Sequence, residues 1–101
     1  MENRVALIGI IVETTDSVAK LNSILSEYGE YIIGRMGVPY KEKGINIISV
    51  AIDAPQSVTS ALSGKIGALS GISAKTIYQG KVKWKSWLIN FVKPNAYQQM
   101  N

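Results

Sequence analysis

The sequence predicts an α+β domain of element order β-α-β-β-α-β, a four-stranded antiparallel sheet with two helices on one face. Three observations predict it. Segments 5–12 and 45–52 are apolar on both alternating sets of positions, as strands covered on two faces require. Segments 18–28 and 58–69 repeat apolar residues at helical spacing. Glycine, proline and short polar clusters punctuate the boundaries between them.

Taken in order, Val5, Leu7 and Ile11 alternate with Ala6, Ile8, Ile10 and Val12, so the first strand belongs at the centre of the sheet. Thr14, Thr15 and Asp16 offer N-cap side chains, and Val18, Leu21, Ile24, Leu25 and Tyr28 then mark a first helix, with Gly29 as a left-handed stop. Tyr31 to Val38 reads as a second strand, Lys41 to Gly44 as a hairpin turn, and Ile45 to Ile52 as a third strand. Pro55 is expected in the first turn of a second helix whose buried stripe is Val58, Ala61, Leu62, Ile66 and Leu69, ended by Gly71. Ile72 to Gln79, interrupted by Lys75 and Gln79, completes the set as an edge strand. This is the split arrangement of the ferredoxin-like fold. Right-handed crossovers place the first and third strands in the middle, where the two most continuously apolar segments belong.

Two helices cover only one face of such a sheet. Whichever alternating set of the central strands points the other way is rich in Val, Leu and Ile or in Ala, Ile and Val. A bare apolar face of that size marks a partner surface, so the sequence predicts a homo-oligomer, dimer or tetramer, that buries the face or joins sheets at their edges.

Composition limits the chemistry. The chain has 101 residues, 47% of them apolar and 18% charged, with no cysteine and no histidine. Thiolate and imidazole metal sites, disulfides, a cysteine nucleophile and histidine-dependent triads are excluded. No metal, cofactor or enzymatic activity is expected, since carboxylates, Lys65 and the tyrosines form no convergent cluster. The net charge of +4 resolves into a neutral body and a basic end. Residues 1–80 hold seven basic and seven acidic side chains, whereas 81–101 hold Lys81, Lys83, Lys85 and Lys93 with no acid. The body, 1–80, is therefore read as the folded domain and 81–101 as a basic, aromatic tail. The longest apolar run, eight residues from Val5 to Val12, is far short of the roughly 20 that a membrane helix needs, and a cytoplasmic location is the expectation.

Several residues are candidates for a site. Glu13, Thr14, Thr15 and Asp16 join the first strand to the first helix, where free N–H groups and the helix dipole can hold an anion or small carboxylate; ordinary capping is the simpler reading. Glu13, Asp16 and Asp53 lack the spacing of a hard-cation loop. Arg35 either faces a ligand between subunits or is an edge-strand charge that opposes aggregation. Gly64-Lys65 is followed by Ile66 and lies late in a helix, which rules out a phosphate loop; small residues there suit close approach to the sheet or a neighbouring subunit. In the tail, Trp84, Trp87, Leu88 and Phe91 fall at helical spacing beside lysines. Membrane-surface binding and stacking on single-stranded nucleic acid both suit that pattern, and packing on the chain's own sheet or between subunits suits it better.

Residues 3–80 resemble a bacterial family of small iron-only hydrogenase system regulators with an ACT-like ferredoxin fold. The resemblance is carried by Ser60-Ala-Leu-Ser-Gly-Lys-Ile-Gly-Ala-Leu-Ser-Gly-Ile-Ser-Ala-Lys-Thr76, by Ile33-Gly-Arg-Met-Gly-Val-Pro39 and by Ile45 to Ile52. It implies a non-enzymatic, oligomeric regulatory domain akin to the effector domains of amino-acid-sensing proteins and of the nickel-responsive repressor. Glu13 to Ser17 lacks the glycine that amino-acid-binding relatives generally carry at this junction, and nickel ligation by His and Cys is excluded. The expected function is that of a transcriptional or system regulator that senses a small molecule between subunits. With a neutral body and no helix-turn-helix, DNA contact would come only through the tail or another chain. The alternative is an accessory module without a ligand that docks through its sheet face and tail.

Overall fold

The computed structural model describes residues 2–80. The two aromatic tryptophans, Phe91 and the lysines of 81–101 lie outside the described residues. Within them the chain runs β1 (Asn3–Val12), α1 (Val18–Glu27), β2 (Ile32–Tyr40), β3 (Ile45–Pro55), α2 (Gln56–Gly67) and β4 (Ile72–Tyr78). Short 3₁₀ turns stand at Thr15–Ser17, Gly29–Tyr31 and Lys41–Lys43. The strands form one antiparallel sheet in the order β2-β3-β1-β4, with β1 and β3 central as expected. The fold is α+β and ferredoxin-like.

Registers fix the two faces. Ala6, Ile8, Ile10 and Val12 of β1 pair with Ile52, Val50, Ile48 and Asn46 of β3. Apart from Asn46, these residues are buried beneath the helices together with Leu21 and Leu25 of α1, Leu62 and Ile66 of α2, and Ile72 of β4. Each such aliphatic side chain contributes roughly 1.5–3 kcal/mol on burial, so the helix-facing set supplies most of the folding drive. The intervening residues of β1 and β3 point to the opposite, outer face.

Local chemistry departs from the sequence reading in four places. Gly29 is not left-handed: Tyr28 (φ −100°, ψ 14°) ends α1 and the chain continues as a 3₁₀ turn, so positive φ is confined to Gly44 and Gly71 among the described residues. Pro55 closes β3 instead of entering α2; its ψ of 143° is extended, and it stands at the N-cap position. Helix α2 ends at Gly67, four residues before Gly71, whose φ of 73° makes the turn into β4. The stripe of α2 is rotated from the expected one: Thr59 is buried and Ala61 exposed. Among the described residues a Cβ on Gly64 or Gly67 would meet nothing within 4 Å, so these glycines serve no close approach to the sheet.

Candidate functional site

The expected loop and Arg35 lie in different surroundings. Glu13 to Ser17 is tied to the α2–β4 connection: the Glu13 N–H donates to Gly71 O (2.8 Å) and the Ser17 hydroxyl to Ser70 O (2.9 Å). Thr14 Oγ1 accepts from Asp16 N–H at 3.2 Å and caps the 3₁₀ turn that leads into α1. Three donors of this loop are thus already engaged inside the chain. Glu13, Thr15 and Asp16 are exposed and Thr14 is half-buried against Gly71.

Arg35 belongs to a groove. Its position follows from a β-bulge in β2: Ile32 pairs with Ile52 and Gly34 with Ala51, so Ile33 is the extra residue. A one-residue insertion exchanges the faces of everything beyond it. Ile32 faces the core, and without the bulge Gly34 and Met36 would follow it there. Instead Arg35 and Gly37, opposite Val50 and Ile48, take the helix side, and Met36 and Val38 take the outer side.

Beneath Arg35 the sheet is left partly open, because α1 returns across the sheet without covering the edge strand. The resulting groove of about 390 Å³ is walled by Val18, Leu21 and Asn22 of α1 and by Arg35, Gly37, Val38 and Pro39 of β2. Val12, Asn46 and Ile48 complete it, and Glu13 to Asp16 do not line it. Arg35 Nη1 donates to Asn22 Oδ1 at 3.3 Å. Sequence reading missed Asn22, which lies on the polar side of an amphipathic helix, and Asn46, which starts a strand. Neither carries a local signal, because the groove exists only through the bulge.

The outer face is a second candidate surface. Val5 and Leu7 of β1, Ile47 of β3, Met36 and Val38 of β2 and Ile77 of β4 are all exposed, Met36 by 68% and Ile77 by 70%. Between these ridges the small residues Gly9, Gly34, Ser49 and Ala51 leave shallow hollows. Asp53 and Lys75 are the charged positions of the outer register on β3 and β4.

Sequence comparison adds an independent observation. Residues 4–76 match the TM1266-like family, described as “Iron-only hydrogenase system regulator, putative”. The chain belongs to this family. Among solved structures, the uncharacterized protein TM1266 from Thermotoga maritima is 30% identical over 78% of this chain and 100% of its own, with a TM-score of 0.75. Two further similarities concern the fold alone. A formyltetrahydrofolate deformylase from Pseudomonas putida KT2440 is 13% identical over 72% of this chain and 28% of its own (TM-score 0.53). An unknown protein from Galdieria sulphuraria is 14% identical over 81% and 48% (TM-score 0.55). No curated protein matches the chain. The match to the TM1266-like family spans β1 through most of β4, so the bulged β2, the groove and the outer face apart from Ile77 lie inside the shared unit. No helix of the described residues is long and apolar enough to cross a membrane.

Proposed function

We propose that this chain is a non-enzymatic regulatory domain of an iron-only hydrogenase system, working in the cytoplasm as a homo-oligomer that senses a small molecule where its subunits meet. The observation that carries the reading is the outer sheet face. It is apolar across all four strands, and a soluble domain rarely leaves so large an apolar patch in water. Its ridges and hollows suit a second sheet packed about 10 Å away, with Leu7, Met36 and Ile77 entering the space over Gly9, Gly34 and Ala51. Membership of the regulator family and the lack of His and Cys support a role without catalysis. Effector binding then shifts the arrangement of subunits, and the target reads that shift; DNA contact, if the target is DNA, runs through 81–101 or another chain.

Light scattering across micromolar concentrations tests the assembly: a dimer or tetramer is expected, and a concentration-independent monomer overturns it. A thermal-shift screen with metabolites tests sensing. A ligand present at 100 times its dissociation constant adds about 2.7 kcal/mol to stability, whereas an accessory docking module shows no shift with any compound.

A further inference from the structure

We infer that the α1–β2 groove binds a compact carboxylate with an apolar body, the carboxylate on the Arg35 guanidinium and the carbon skeleton against Val18, above the buried Val12 and Leu21. This rests on the small-molecule sensing proposed above and moves its site from the subunit contact on the outer face to the helix side of the β2 edge. Among the described residues Arg35 is the one charged residue of the lining, and no carboxylate pairs with it. Its guanidinium carries five N–H donors, yet the bond made here is a long one to a neutral amide oxygen, which leaves the planar fork able to take a carboxylate with two parallel bonds. Asn22 and Asn46 flank the cation with amides that can donate to the same anion or accept from a polar substituent.

Size and polarity narrow the class. At about 390 Å³ the groove lies near the small end of ligand sites, which suits a skeleton of a few carbons. A phosphate or polyanion would be better served by several cations or by a cluster of backbone donors. The groove has a single cation over an aliphatic floor. An edge-strand arginine also discourages sheet-to-sheet association, but that role requires only charge at the edge. It does not require the bulge at Ile33 that turns this charge over an apolar floor.

The test is a titration of the ¹⁵N-labelled full-length chain with isovalerate, its uncharged analogue isovaleramide and inorganic phosphate. Isovalerate is expected to give saturable amide shifts confined to Asn22, Arg35, Gly37 and Asn46, with isovaleramide and phosphate at least about tenfold weaker. Arg35→Gln should weaken isovalerate about tenfold or more while the remaining amide spectrum is unchanged. Arg35→Lys should retain part of the affinity, and Lys75→Gln, on the opposite face, should retain all of it. Equal binding of acid and amide, tighter binding of phosphate, or wild-type affinity in Arg35→Gln overturns the proposal. Absence of isovalerate shifts up to tens of millimolar overturns it as well. Thermal shifts with neutral or cationic metabolites in the absence of any carboxylate effect would refute this ligand class and leave small-molecule sensing standing. A carboxylate-binding monomer in light scattering would refute only the assembly.

Discussion

Two side chains illustrate how much a single position carries. Thr59 is completely buried on α2, and its hydroxyl has no hydrogen-bond partner among the described residues. Burying an unpaired hydroxyl costs about 1–3 kcal/mol, so Thr59→Val, which keeps the shape, is expected to raise stability by about 1 kcal/mol in urea unfolding. Gly71 sets the opposite constraint. Its φ of 73° is left-handed, and a Cβ there would overlap Thr14 Cγ2. Gly71→Ala is therefore expected to cost about 2–3 kcal/mol, the sum of a positive-φ penalty and a steric one. Adding Thr14→Ser removes the methyl and should restore about 1 kcal/mol, because only the steric part is shared by the pair. Additive losses in the double variant would show that the two residues do not press on each other.

At the scale of elements, legibility followed how local the cause was. Strands β1 and β3 could be read because being buried on one face and apolar on the other leaves a continuous hydrophobic run, and their central places followed from topology. The turn at Gly44, with φ of 64°, was equally plain from Lys41 to Gly44. The stripe of α2 was not, since Thr59 and Ala61 are both small and only the packing of the helix on β4 and β1 decides which faces inward. The groove was least legible: Arg35 could be singled out as a charge within an apolar strand, but its face depends on the extra residue Ile33, which ordinary alternation hides. A long-range contact between helices is also silent in sequence. Lys65 of α2 places its ammonium 5.1 Å from the centre of the Tyr28 ring at the end of α1. A hydrogen bond to the Tyr28 hydroxyl, followed by electrostatic attraction to Tyr28 and Glu27, raises the Lys65 pKa above its ordinary 10.5. A raised folded pKa means that protonated Lys65 favours the folded state fully below pH 10.5 and that this contribution is lost as pH climbs through the folded value. Lys65→Gln is accordingly expected to flatten the alkaline limb of a stability–pH profile while leaving its acid limb unchanged. Because the ammonium is solvent-exposed the effect should be small, and an unaltered alkaline limb would mean that the contact contributes nothing to folding.

For the whole molecule, the two faces of the sheet have different tasks. The inner face holds the domain together and carries the groove at its uncovered edge; the outer face is free of that burden, because Met36 and Ile77 are exposed among the described residues. This separation makes the assembly testable without unfolding the domain. In a two-fold dimer each substituted residue enters the interface twice, once from each subunit. Met36→Lys and Ile77→Lys should therefore leave the urea midpoint of the isolated domain nearly unchanged while burying two uncompensated ammonium groups per substitution in the assembly. Unpaired buried charge at an interface costs several kcal/mol, so the dissociation constant should rise by about a hundredfold or more. Sedimentation at matched concentrations would then show subunits where the wild-type protein shows oligomers. If the lysine variants remain fully assembled, the subunits must join elsewhere, and the open edge of β2 becomes the surface to substitute next. In that arrangement the neighbouring copy would stand over Arg35 and close the groove, so that ligand affinity and assembly would fall together in an edge variant. With the outer-face contact they would fall separately.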